Sequence, residues 1–377
     1  MLVNHSPMTS IWPVSEATGR VALIDQRLLP HRLEIMEIQT LESMAVAIED
    51  MAVRGAPLIG VSAAWGVAIG AYEILRAGSV DWMGLLQKGI ARLRKTRPTA
   101  VNLFWALDRQ QKELEDCTSH KDACERLWAS AQSIQVEDIQ CCKRIGANGI
   151  SLIQEIYQKK IAQGIQNPVV NILTHCNAGW LACVDHGTAT SPMYAAFDAG
   201  IPIHVWVDET RPRNQGAKLT AWELGQHGIA HTLIPDNAGG HLMQHGMVDL
   251  VITGADRVTR NGDAANKIGT YLKALAAKDN KVPFYIAMPE STIDWNLMDG
   301  VKNIPIETRN DREVRFMDGL VEQGDVCEVL ICPESTKAVN YGFDVTPARF
   351  ISGFITEAGI CKADEDSLRK LYGRWSH

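Results

Sequence analysis

Residues 169–179 read VVNILTHCNAG, a short β-branched run that stops abruptly at polar and small residues. Its length and composition predict a buried strand, with Cys176 at the tip beside the entrance to a helix. Comparable runs recur downstream: IHVWVD (203–208), HTLIPD (231–236), VDLVITG (248–254) and VPFYIAM (282–288), each separated from the next by a helical segment. That alternation predicts a parallel sheet with helices on both faces. Ligands of such sheets collect at the carboxyl ends of the strands, which is where this sequence places its polar motifs.

Upstream, helical periodicity dominates from Thr40 to about Lys160, after an extended region, VALIDQRLLPHRLEIMEI (21–38), that predicts two paired strands. Pro57 and Pro98 each stand where a helix can begin, because proline suits a first helical turn, so Arg54 and Arg97 sit at helix entrances. The expected fold is α/β. A mainly helical N-terminal domain with a small β element (1–150) is followed by a Rossmann-like C-terminal domain with a mainly parallel sheet (151–377). The helical pattern ISLIQEIYQKKIAQG (150–164) runs through that boundary and predicts an interdomain helix.

The 377 residues are 46% hydrophobic and 21% charged, enough to bury a large core. A net charge of -7 with no compensating basic block argues against a nucleic-acid partner. The first residues, MLVNHSPMTSIWPVSEATG, lack the basic and apolar regions of a secretory signal, so a cytoplasmic location is expected. The most apolar stretch, residues 59–71, spans 13 positions, too few to cross a bilayer, and predicts a buried helix and no membrane partner. Nine cysteines with no Cys-x-x-Cys spacing indicate neither a disulfide framework nor a zinc knuckle. His227 with His231, and His241 with His245, have i,i+4 spacing without the glutamate or third ligand that a metal helix needs, so no metal is expected. Glycine fingerprints for dinucleotides, P-loops and serine elbows do not occur.

The candidate chemistry lies at the strand tips. Cys176 at a helix entrance has backbone N–H groups to act on its thiol, although many cysteines are simply buried apolar residues. Asp256, after the run 248–254, can act as a general acid or base if its surroundings raise its pKa; a plain ion pair with Arg257 is the alternative. Asn266 and Lys267, read as opening a helix, suit an anionic group through helix-end N–H groups and a full positive charge. Gln215, in the polar loop 208–216, offers an amide that both donates to and accepts from sugar hydroxyls. Trp180 either packs in the core or lines the pocket.

Taken together, RGAPLIG (54–60), TRPTAVNL (96–103), THCNAG (174–179), DETRPRNQGAKLTAWEL (208–224), TGADRVTRNGDAANKIGTY (253–271) and FDVTPARFISGFITEAGI (343–360) resemble the methylthioribose-1-phosphate isomerases. These belong to a family that also contains regulatory subunits of the translation guanine-nucleotide exchange factor. The resemblance implies a homodimer without a cofactor that acts on a small sugar phosphate in methionine salvage. It implies Cys176 and Asp256 as the catalytic pair, with Arg54, Gly55, Ala56, Arg97, Gln215, Asn266 and Lys267 binding substrate. Regulatory relatives generally lack the cysteine and aspartate together, which favours an enzyme here.

Two rival readings follow from the same residues. One is an isomerase of 5-deoxyribose 1-phosphate or ribose 1,5-bisphosphate, and the other is a non-enzymatic regulatory subunit that senses sugar phosphates.

Overall fold

A computed structural model describes residues 1–97 and 100–374; Pro98, expected to begin a helix, lies outside the described residues. Near the N-terminus three antiparallel strands, Ile11–Ser15, Arg20–Ile24 and Ile35–Ile38, form a small sheet, one strand more than region 21–38 predicts. The helix Leu41–Glu49 then starts at a capping box in which Thr40 accepts from the Ser43 N–H and Ser43 reaches back to the Thr40 N–H.

The helix Ala56–Arg76 is the centre of the first half. Proline sits in its first turn, and it packs against helices Leu41–Glu49, Trp82–Arg94, Val101–Glu115 and His120–Ala162. At 21 residues it is longer than the 13-residue apolar stretch suggests, and it is long and apolar enough to cross a membrane by length and composition alone. Its surroundings decide otherwise, because 78% of its apolar window is buried inside the fold. Alanine, glycine and serine let the neighbouring helices approach closely, and Trp65 in its middle donates from its indole N–H to Gln135 Oε1 at 2.8 Å.

The helix His120–Ala162 runs for 43 residues without a break, through position 150. Its first half buries Ala123, Leu127, Trp128 and Ile134 in the N-terminal core, and further along Ile145 and Ile153 enter the core beneath the large sheet. We propose that it is the wall shared by the two parts of the chain.

The large sheet has seven strands in the spatial order Gly359–Cys361, Gly353–Thr356, Phe284–Ala287, Leu250–Thr253, Val170–Thr174, Ile203–Asp208, His231–Ile234. All five predicted runs are present and pair in parallel. Two further strands extend one edge. Gly353–Thr356 is parallel to its neighbour and Gly359–Cys361 is antiparallel. The chain enters the sheet at Val170–Thr174, winds to one edge, then returns to lay Leu250–Thr253 on the other side of that first strand. Reversal of winding at this point opens a crevice beyond the carboxyl ends of the two strands.

A second sheet, Ile293–Asp294, Arg257–Thr259, Ala264–Lys267 and Phe343–Thr346, stands over that end. It forms because the chain leaving Leu250–Thr253 turns straight into Arg257–Thr259 and pairs back on itself across the turn at residues 260–263.

Candidate active site

The two strands beside the crevice deliver the two side chains expected to be reactive. Cys176 follows Val170–Thr174 and Asp256 follows Leu250–Thr253, and both line one cavity with about 770 Å³ of empty space. Arg54, Gly55, Ala56, Arg97, Gln215, Asn266 and Lys267 line the same cavity, so the expected catalytic pair and the expected substrate-binding residues meet there. Two local expectations need correction. No α-helix begins beside Cys176: a loop and the short turn Trp180–Ala182 follow it, and the next α-helix starts at Ser191. Cys176 itself adopts φ +67°, a left-handed backbone conformation that costs a non-glycine residue roughly 1–2 kcal/mol.

Asn266 and Lys267 also lie on the strand Ala264–Lys267, not at a helix start. The helix begins afterwards, at Thr270, and its first N–H groups are already taken. Gly269 and Tyr271 donate to the Asp344 carboxylate at 2.7 and 3.1 Å. The strand pleat, not a helix end, therefore points Lys267 at the cavity.

The N-terminal half supplies the opposite wall. Gly55 holds φ +96°, and a Cβ there would lie 2.5 Å from the Cα and carbonyl oxygen of Ala182. Only glycine lets the segment 54–56 press against the loop that carries Cys176. Arg54 uses that proximity, donating to the Asn177 side-chain oxygen at 2.6 Å and to the Asn177 carbonyl at 2.8 Å. Trp180 is fully buried in the core beneath the sheet and does not line the cavity, which settles its two readings in favour of packing.

Among the described residues, five cationic side chains face the cavity, Arg54, Arg97, Arg213, Lys267 and Arg309, against one carboxylate, Asp256. Arg213 and Arg309 were not apparent in the sequence. They are steered by Glu313, which binds Arg213 at 2.9 Å and Arg309 at 2.8 Å, while Glu307 also holds Arg309 at 2.9 Å. Their segment has no periodicity to mark it. Among the described residues, Arg54 and Lys267 have no carboxylate within ion-pair distance, which leaves their charge for an anionic ligand.

Burial sets the protonation pattern. It pushes the Cys176 thiol above its ordinary pKa, against the pull of Arg54 and Lys267. It also raises Asp256, opposed by Lys267, Arg97 and Arg54, and it lowers Lys267. A thiol and a carboxyl group that are both easier to protonate than usual suit acid catalysis.

Among the described residues, two trios of metal-ligand type have their ligand atoms within 4.8 Å of one another: Asp138, Cys142 and Cys183, and His175, Asp208 and Asp236. In the second the Lys273 ammonium lies 3.0 Å from Asp208 Oδ2 and donates to the Asp236 carbonyl at 2.5 Å, so a fixed cation already stands there.

Residues 52–363 match the initiation factor 2 subunit family. This chain belongs to that family. Within it, the chain is 53% identical over 372 residues to the methylthioribose-1-phosphate isomerase of Desulfatibacillum aliphaticivorans, covering 99% of each chain. It is 56% identical to the methylthioribose-1-phosphate isomerase of Escherichia coli O45:K1 (strain S88 / ExPEC), covering 99% of this chain and 96% of that one. Among solved structures, 5-methylthioribose 1-phosphate isomerase from Pyrococcus horikoshii OT3 superposes with a TM-score of 0.81 at 37% identity, over 98% of this chain and 96% of that one. The translation initiation factor eIF-2B subunit delta from A. fulgidus follows with a TM-score of 0.79 at 35% identity, over 97% of this chain and all of that one. Family members with both kinds of name thus share this fold.

Proposed function

We propose that this chain is an aldose–ketose isomerase that converts 5-methylthio-D-ribose 1-phosphate to 5-methylthio-D-ribulose 1-phosphate, a step of methionine salvage. Near-complete coverage at 53% identity to proteins named for this activity supports the reading. The observation that carries it at the site is the meeting of Cys176 and Asp256, from the two strands beside the crevice, in a cavity rich in cations.

The chemistry matches what such a site offers. A phosphate on C1 prevents the sugar from opening to a free aldehyde, so the ring must open with the phosphate attached. Asp256, its pKa raised by burial, protonates the ring oxygen as the C1–O bond breaks. Hydrogen then leaves C2, the C2 hydroxyl gives up its proton to become the ketone, and C1 gains a hydrogen. Cys176 serves at C1 and C2 as the second acid or base. The competing route carries hydride directly from C2 to C1, with the two side chains handling oxygen-bound protons only.

Arg54, Arg97 and Lys267 hold the phosphate dianion, and Gln215 bonds sugar hydroxyls. The Gln215 side-chain oxygen is buried without a partner among the described residues, which leaves it available to a ligand hydroxyl. A homodimer in the cytoplasm that needs no cofactor completes the proposal.

Incubation of the purified protein with 5-methylthioribose 1-phosphate in deuterium oxide tests both levels. Formation of the ketose supports the assignment, and deuterium at C1 of the product excludes a pure hydride shift. Absence of product, with turnover of 5-deoxyribose 1-phosphate or ribose 1,5-bisphosphate instead, would transfer the assignment to that sugar. No turnover of any of the three would favour the regulatory reading.

A further inference from the structure

We infer that Thr210 and Thr220 are positioning residues for the reaction, two buried hydroxyls that clamp the peptide N–H and C=O of Cys176 and so fix where its thiol points. The inference rests on the reading of Cys176 as a reactive group. Cys176 holds φ +67°, a conformation that a cysteine does not keep without support. Its own N–H donates to Thr210 Oγ1 at 2.9 Å, and its own carbonyl accepts from Thr220 Oγ1 at 2.8 Å. The two hydroxyls therefore fix the two peptide planes whose relative rotation defines the strained residue.

Each hydroxyl both donates and accepts. Thr210 Oγ1 accepts from Cys176 and donates to the Asp208 carbonyl at 3.1 Å, while Thr220 Oγ1 donates to Cys176 and accepts from Asn177 Nδ2 at 3.2 Å. Both threonines are at most 1% exposed, where a hydroxyl that lost its partner would be costly, so the hydrogen-bond directions are fixed. Thr210 is braced in turn, since it holds φ +65° and its N–H donates to Asp236 Oδ1 at 2.8 Å. Thr220 closes the turn of helix Gly216–Thr220, directly ahead of helix Ala221–His227.

Neither threonine lines the cavity. A residue that acts only through Cys176 should change turnover and leave substrate affinity alone. A residue needed only for general stability should change neither parameter in the folded fraction.

The test is steady-state kinetics of the full-length protein with 5-methylthioribose 1-phosphate, comparing wild type with Thr210→Val, Thr210→Ser, Thr220→Val, Thr220→Ser and Cys176→Ala. Active concentration is normalised to the folded fraction from circular dichroism. Valine keeps the shape and removes the hydroxyl, and serine keeps the hydroxyl. The expected result is a fall in kcat of about tenfold to a hundredfold for each valine variant, a KM within about twofold of wild type, and recovery of most of the turnover in each serine variant. Wild-type kcat in the valine variants, or serine variants as impaired as the valines, would overturn the clamp. If Thr210→Val does not fold, Thr220→Val decides. Cys176→Ala separates the two levels: full turnover in it removes the reading of Cys176, whereas loss of turnover in it beside active valine variants removes only the clamp.

Discussion

The guanidinium of Arg54 grips Asn177 twice, through Nη1 to the side-chain oxygen at 2.6 Å and through Nη2 to the carbonyl at 2.8 Å. One residue on the N-terminal half thereby fixes the position next to Cys176 while its charge still faces the cavity. Lysine carries its donors on a single nitrogen and cannot reproduce this planar two-nitrogen fork. Arg54→Lys should raise KM about tenfold and also lower kcat, as measured by initial rates over a range of substrate concentrations. An effect on KM alone would mean that the grip on Asn177 does not matter for turnover.

Arg97 and Cys176 should separate cleanly. Arg97 lines the cavity with Glu307 no nearer than 3.9 Å, which leaves its charge available to a ligand. Arg97→Ala should weaken binding by about 1.5–3 kcal/mol with a smaller change in kcat. Cys176→Ser should reduce kcat by about 10²-fold or more with KM little changed. Wild-type turnover in Cys176→Ser would remove the thiol from the mechanism.

Gly55→Ala joins two penalties at one position. The left-handed backbone at φ +96° costs roughly 1–3 kcal/mol for alanine, and the contact of its methyl with Ala182 adds roughly another 1–3 kcal/mol. Urea unfolding should show a loss within that combined range, together with weaker substrate binding. An unchanged midpoint would show that the loop at Ala182 yields without cost.

Glu223 makes stability depend on pH. Its carboxylate is fully buried, accepts from the Leu181 N–H at 2.7 Å and lies near Tyr194, and burial raises its pKa from 4.5 to about 7 despite the Leu181 bond, Asn177 and the charge of Arg54. The folded state holds this proton more tightly than the unfolded chain, so stability falls as pH rises from about 4.5 to about 7 and then levels off. Asp138, raised by burial to about 7, adds a fall of the same sign. Glu223→Gln should remove its own share, about 3 kcal/mol, so that the variant gains on wild type between pH 5 and pH 8 in urea midpoints. An equal difference at both pH values would contradict this.

Lys273 is a buried cation wedged between Asp208 and the Asp236 carbonyl. Lys273→Met leaves the Asp208 carboxylate buried with only His175 beside it and should cost about 3–5 kcal/mol, read as a drop in thermal midpoint. A stable variant would mean that His175 alone compensates Asp208.

The sequence revealed the strand tips because each strand is a compact apolar run that ends at a polar motif. Cys176 and Asp256 follow such runs directly, so their meeting could be inferred. Asn266 and Lys267 read as a helix start because the short AANK strand is too brief and too polar to show a period of two; its pairing with Phe343–Thr346 decides its state. Arg213 gives no local signal because what aims it is Glu313, 100 residues away, while Arg309 lies four residues from Glu313 on a two-residue strand too short to show a pattern. Glu223 reads as an ordinary polar residue of an amphipathic helix, and only the packing of the loop around Leu181 puts it in the interior. Thr210 and Thr220 carried no local signal, since their partners are backbone atoms of a loop more than 30 residues away.

The unbroken helix His120–Ala162 also limits how the protein can be divided or reshaped. At 1.5 Å per residue it is a rod of roughly 65 Å, seated in two of the hydrophobic cores. Expressing either half alone would leave a long apolar stripe of this rod in water, so complementation by separate fragments should fail where circular permutation at a surface loop succeeds. Mobility that admits the sugar is then expected in the loops over the crevice, because the helix beneath them runs unbroken from one core to the next.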